Sequence, residues 1–138
     1  MAADGQRLQV ELRGVDAPEL DQPFGTQSRT LVTQLVVGHH VDVRPAGRSH
    51  DRLVADLRLR DGRDVGGLLV AAGAAWVEQG YSSTDPEVPD RQMAAQRLRL
   101  GLWRNASAVP PWEWRHTHGQ SQEPPARRSW WSRLWIWR

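Results

Sequence analysis

An α+β fold is predicted by three observations: a strand pattern near the start, further strands dressed at their ends by helices, and a size suited to one core. The chain has 138 residues, of which 39% are hydrophobic, enough for a single compact domain. Residues 7–13 alternate, with Leu8, Val10 and Leu12 on one face and Arg7, Gln9, Glu11 and Arg13 on the other, the period-two signature of a half-buried strand. Pro18 cannot continue a ladder and biases Ala17 away from helix, so the strand ends before them.

Thr26 or Ser28 is placed to cap a helix in which Leu31, Val32, Leu35 and Val36 share a face and Gly38 ends the run. Val41 and Val43 alternate with Asp42 in a short strand, and Pro45-Ala46-Gly47 is expected to turn the chain. Leu53, Ala55, Leu57 and Leu59 define a longer strand, closed by a sharp turn at Asp61-Gly62. Asp64 caps a second helix with Val65, Leu68, Leu69 and Ala72 inward and Gly73 at its end. Gly66 and Gly67 each cost that helix about 1 kcal/mol relative to Ala, so packing must hold it. A polar loop from Gly80 to Val88 precedes a third helix, with Pro89 near its first turn and Met93, Ala94 and Leu98 expected inward.

Composition narrows the partners. All 18 basic residues are Arg, which sets the pI near 10.3 although the net charge is only +2. Four of them lie in the acid-free stretch 127–138, so residues 1–126 carry 14 Arg against 16 acids, a net of −2. A broadly basic nucleic-acid surface is thereby excluded for the folded part, and recognition of such a partner must be local. There is no run of 18 apolar residues to span a bilayer and no charged, then apolar, leader at Met1-Ala2-Ala3-Asp4. A cytoplasmic location is the default, and export follows if the true start lies upstream. The absence of Cys removes disulfide and thiol chemistry without naming a compartment.

The most informative stretch is Gly14-Val15-Asp16-Ala17-Pro18-Glu19. It sets two carboxylates three residues apart on a stiff turn at a strand terminus, where they can gather a hard cation or take a proton from water. The structural alternative is that Asp16 caps the turn and Glu19 is solvated. Downstream come Gln22-Pro23-Phe24-Gly25, Asp51-Arg52-Leu53-Val54-Ala55, Asp61-Gly62-Arg63-Asp64-Val65, Gly101-Leu102-Trp103 and Pro110-Pro111-Trp112-Glu113-Trp114-Arg115. In this order, over roughly residues 5–115, they resemble the staphylococcal nuclease (thermonuclease) family.

That resemblance implies an OB-type five-stranded barrel with about three helices, the helix after Gly25 plugging one end. It implies a nuclease-like domain over 1–115, N-terminally incomplete, while the composition of 116–138 is that of a flexible Arg- and Trp-rich tail. It also implies hydrolysis of DNA or RNA with calcium: Asp16 through its side chain and Ala17 through its carbonyl hold the ion, Glu19 activates the attacking water, and Arg52 contacts the phosphate. The chemistry is coherent, because phosphodiester hydrolysis needs a positioned water, a carboxylate beside it and cations facing the charge on the phosphoryl oxygens. A surface ion pair of Arg52 with Asp51 or Asp56 is the alternative for that residue.

Departures matter as much. Glu11 stands where the family has its second catalytic arginine, and a carboxylate there repels phosphate. Arg13 lies on the same side of the strand, two residues and so about 6 to 7 Å nearer the turn, and is the partial substitute. His50-Asp51 replaces the family's Tyr-Gly, and Tyr81 is the match to a tyrosine that packs near the nucleotide base. If Asp4-Gly5-Gln6 is a hairpin turn, the barrel strands that precede it, with another calcium-binding aspartate, fall before Met1; an open sheet edge of that kind invites pairing with another chain.

The tail contains His116 and His118, more simply solvated than metal-bound without a third ligand. Its end, Trp130 to Arg138, suits a lipid interface, base stacking or contact with a protein. Two functions remain: a calcium-dependent phosphodiesterase, impaired to the extent that Glu11 weakens phosphate binding, or a non-catalytic binding module for nucleic acid or protein on the same scaffold.

Overall fold

The computed structural model describes residues 7–49, 52–81, 85–118 and 134–137. The expected turn at Asp4-Gly5-Gln6, the His50-Asp51 pair, the middle of the loop 80–88 and tail residues 119–133 and 138 lie outside the described residues.

Strand β1 (Arg7–Leu12) alternates as its sequence dictates, with Val10 and Leu12 buried and Glu11 and Arg13 half-buried on the other face. At its end Gly14 takes φ 76°, a left-handed turn that only Gly adopts cheaply, and the chain re-enters a two-residue strand, β2 (Val15–Asp16). Helix α1 (Gly25–Val36) follows, then β3 (Val41–Ser49), β4 (Arg52–Leu59), α2 (Val65–Ala71), β5 (Trp76–Val77), α3 (Glu87–Arg97), a 3-10 turn (Gly101–Arg104), α4 (Pro111–His118) and β6 (Leu134–Trp137). The fold is α+β as predicted. Among the described residues the strands form a four-stranded sheet in the order β3-β4-β1-β6 and a β2-β5 ribbon, and neither closes into a barrel.

β1 runs parallel to β4, with Val10 opposite Leu53 and Leu12 opposite Ala55, so the inward faces of both strands coincide. Val10, Leu12, Ala55 and Leu57 form the sheet side of the core, and Val32, Val65, Leu69, Val70 and Val88 cover it from the helices. Burying such a side chain contributes about 1.5–3 kcal/mol, which is how α2 tolerates its two glycines. Both are themselves buried, and a Cβ on Gly67 would stand 2.5 Å from the Arg91 guanidinium.

Several local expectations are corrected. Helix α1 begins at Gly25, one residue before Thr26, and is preceded by a left-handed Phe24 (φ 71°) that gives no side-chain cap. Ser28 lies inside the helix, fully buried, its Oγ donating to the Ala74 carbonyl at 2.7 Å; a long-range acceptor outcompeted the capping role. Pro45-Ala46-Gly47 does not turn the chain: β3 continues through it by a bulge, and a Pro is tolerated at a bulge on an edge strand. In α3 the buried residues are Val88 and Ala95, while Met93 and Leu98 are 57% and 69% exposed. The helix presents its small-residue face to α2, whose glycines leave room for close approach. The Asp64 cap is as expected, its Oδ2 accepting from Gly67 N at 2.7 Å.

The segment 116–138, a tail by composition, is only partly one. Its first three residues complete α4, and Leu134–Trp137 pairs antiparallel with Arg7–Val10, covering the β1 edge left free by β4. An uncovered edge strand templates association. Deleting residues 127–138 removes the four residues paired with β1 and is therefore expected to lower stability by roughly 2–4 kcal/mol, at about 1 kcal/mol per ladder bond, and to produce self-association in light scattering. An unchanged melt with a monodisperse monomer would refute this role of β6.

Candidate active site

Asp16 and Glu19 are the most deeply buried acids described, 4% and 2% exposed. The Asp16 backbone is locked by pairing with Trp76 across the β2-β5 ribbon. The Glu19 turn is locked by Gln22: Glu19 N donates to Gln22 Oε1 at 3.1 Å, Gln22 N donates back to the Glu19 carbonyl at 3.0 Å, and Gln22 Nε2 reaches the Val109 carbonyl at 2.5 Å. Gln22 thus ties the turn to the segment leading into α4.

One guanidinium joins the two carboxylates, and it belongs to Arg115 on α4. Its Nη2 donates to Asp16 Oδ2 at 2.6 Å, and its Nη1 donates to Asp16 Oδ1 at 3.2 Å and Glu19 Oε1 at 2.8 Å. Glu19 Oε2 is buried with no hydrogen-bond partner among the described residues. Burial pushes the Glu19 carboxyl up to about 7 against the opposing pull of Arg115, and neighbouring Asp16 and Asp21 push the same way. Burial likewise raises Asp16, with Arg115 opposing. Arg115, which burial alone would lower, is held above the ordinary arginine value by the two carboxylates.

The other expected residues sit around this pair. Arg52 forms an ion pair with Glu11 (Nη1 to Oε2, 3.7 Å); of the two partners expected for it, Asp56 is held by Arg13 and Asp51 lies outside the described residues. The guanidinium bonded to Asp16 and Glu19 is Arg115's and not Arg52's. Arg13 is bidentate on Asp56, Nε to Oδ1 at 3.1 Å and Nη2 to Oδ2 at 2.5 Å. Tyr81 packs against the core and donates from its hydroxyl to the Asp85 carbonyl at 2.8 Å. Ala17 is buried beside Asp16. His118 stacks on Trp114 with ring centroids 3.7 Å apart.

Two residues near the site were given no role by sequence reasoning. Glu78 follows β5 and is exposed, its carboxyl raised by desolvation first and by Asp16 and Glu11 next. Arg115 lies 96 and 99 positions from the carboxylates it bridges. Its signal was the Trp112-Glu113-Trp114-Arg115 run itself, in which Trp112 and the Trp103 of Gly101-Leu102-Trp103 pack edge-on against Trp76 at 5.9 Å and 4.2 Å. These aromatic contacts seat α4 beside the turn. A cavity of about 310 Å³ borders the same region, lined by Pro18, Gln22, Phe24, Trp76, Leu102 and Trp114 among others.

A hard cation is compatible with this donor set, since both side chains are carboxylates and Glu19 Oε2 has no partner among the described residues. Among the described residues no group of three or more His, Cys, Asp or Glu side chains gathers to hold a metal. An ion bound here would complete its shell with water and substrate oxygens and would not sit in an all-protein cage.

Residues 9–105 match the family described as Staphylococcal nuclease homologue. The chain belongs to the staphylococcal nuclease family. It is 39% identical over 110 residues to a protein of Escherichia coli O157:H7 named "Uncharacterized endonuclease", covering 79% of this chain and 71% of that one. It is 32% identical over 120 residues to a "Micrococcal nuclease" of Shigella flexneri, covering 80% and 69%. A "Probable staphylococcal-like nuclease CAN1" of Oryza sativa subsp. japonica is 32% identical over 111 residues, 80% of this chain and 33% of that longer protein. Membership in the staphylococcal nuclease family and these relatives support a nuclease function, and with it a nucleic-acid substrate. No helix among the described residues is long and apolar enough to cross a membrane. Asp16, Ala17, Glu19 and Arg52 fall inside the matched segment; Arg115 falls outside it.

Proposed function

We propose that this chain hydrolyses phosphodiester bonds of DNA or RNA with calcium, Asp16 and the Ala17 carbonyl holding the ion and Glu19 acting as general base. The observation that carries this reading is the Asp16–Glu19 pair itself: two carboxylates buried side by side on one turn, with one Glu19 oxygen unpartnered among the described residues. Burying ionisable groups in this way is unfavourable to folding unless they are paired, and a carboxyl held near pH 7 is suited to accept and release a proton at neutral pH.

In the reaction, Glu19 orients a water and takes its proton as the water oxygen attacks phosphorus. The P–O bond opposite the attacking oxygen breaks, and its electron pair leaves on the departing alkoxide oxygen, which is then protonated from solvent. The ion, when bound, neutralises charge on the phosphoryl oxygens. Arg52, paired with Glu11 in this structure, contributes to phosphate binding once that 3.7 Å pair opens. Glu11 weakens that contribution, and the same residue supports the second reading, a binding module without turnover.

Incubating the full chain with single-stranded and duplex DNA and with RNA in millimolar calcium decides between the readings. Cleavage that stops on adding a calcium chelator and returns with excess calcium is the expected result. Binding without cleavage under all conditions would favour the module; cleavage indifferent to chelation would remove calcium from the proposal.

A further inference from the structure

We propose that Arg115 is a catalytic residue of this site: its guanidinium holds Asp16 and Glu19 while ion and substrate are absent, and turns onto a phosphoryl oxygen when a divalent ion takes over Asp16. The inference rests on the functional reading above and adds a residue from outside the segment matched to the family.

Four observations lead to it. Both oxygens of Asp16 are occupied by Arg115 at 2.6 and 3.2 Å. A divalent ion binding the same oxygens would stand within a few ångströms of the guanidinium, and two cations at that range repel. The ion and Arg115 therefore compete for Asp16.

Second, a displaced guanidinium has somewhere to go. The Arg115 side chain is 32% exposed, and Nη1 already lies 2.8 Å from Glu19 Oε1. A phosphodiester whose phosphorus faces a water on Glu19 must bring its non-bridging oxygens into that neighbourhood. The planar fork of Arg matches two such oxygens, as it now matches the two oxygens of Asp16.

Third, α4 does not depend on this ion pair for its seat. Pro111 is buried, Gln22 bonds the Val109 carbonyl, Trp114 Nε1 donates to Asp21 Oδ1 at 3.2 Å, and Trp112 packs on Trp76. The side chain can swing while its helix stays docked. Fourth, the neighbouring arginines are engaged elsewhere, Arg13 on Asp56 and Arg52 on Glu11. Arg115 is the guanidinium in contact with the proposed base.

The test compares wild type, Arg115→Gln and Arg115→Lys in the full chain, with calcium binding measured calorimetrically without nucleic acid, and kcat and KM measured on a DNA oligonucleotide. Removing the competing cation is expected to tighten calcium binding in Arg115→Gln by about fivefold or more, while kcat falls by roughly 10²-fold, the scale of one lost transition-state charge contact. Arg115→Lys, which keeps the charge without the fork and guards against a glutamine variant that fails to fold, is expected to bind calcium close to wild type and to recover only part of kcat. Unchanged calcium affinity in a folded Arg115→Gln, or kcat within twofold of wild type in both variants, overturns the role of Arg115 alone. A wild-type chain that neither binds calcium nor cuts overturns the functional reading beneath it.

Discussion

Glu19→Gln is expected to reduce phosphodiester cleavage by about 10²- to 10⁴-fold, the range associated with loss of a positioned general base, while leaving the fold intact. Gln is nearly isosteric with Glu and its amide oxygen still accepts from Arg115, so the 2.8 Å contact has a replacement. What it cannot do is take a proton. Stability is expected to hold or rise, because a carboxyl that burial pushes up to about 7 is strained in its ionised form at neutral pH. The checks are single-turnover cleavage at saturating calcium and a thermal melt on the same preparation. Cleavage at the wild-type rate would remove Glu19 as base and turn attention to Glu78, the neighbouring acid whose carboxyl is also raised.

Gly25→Ala is expected to damage stability and activity together. A Cβ at Gly25 would lie 1.8 Å from the Glu19 carbonyl oxygen, 2.7 Å from its carbonyl carbon and 3.0 Å from Leu20 Cα. All three are backbone atoms, so no side chain can rotate out of the way. Either the first turn of α1 lifts off or the turn bearing Glu19 moves, and Gln22, bonded to both Glu19 and Val109, is dragged with it. Overpacking of this kind costs about 1–3 kcal/mol, and a displacement near 1 Å at a catalytic group lowers rate by roughly 10²-fold. Gly47→Ala is the matched control, since no atom of the described residues lies within 4 Å of a Cβ there. A Gly25→Ala chain that melts and cuts like wild type would show that α1 does not set the position of the turn.

The two variants separate chemistry from placement. Loss in Glu19→Gln with an unchanged melt identifies a proton acceptor, whereas Gly25→Ala lowers rate and melting temperature together because one steric contact controls both. Arg115 belongs to the chemistry, since its helix is seated by tryptophans and a glutamine contact that its substitution leaves in place.

Much of this was legible in the order of residues. The alternation of Leu8, Val10 and Leu12 specified which face of β1 enters the core, Asp64 announced the start of α2 through a bond to a residue three positions on, and the Asp16–Glu19 spacing placed two carboxylates on one turn. Each depends on groups within a few residues of one another, where backbone sterics and short-range hydrogen bonding decide the outcome. The tertiary structure alone decided that Arg115, nearly a hundred positions away, is the cation between those carboxylates, that Arg52 faces Glu11, that Val88 and Ala95 rather than Met93 and Leu98 turn inward on α3, and that Leu134–Trp137 covers the edge of β1. Those outcomes follow from which surfaces meet once the core has formed, and charge pairing and edge pairing across a chain carry no period that its linear order displays.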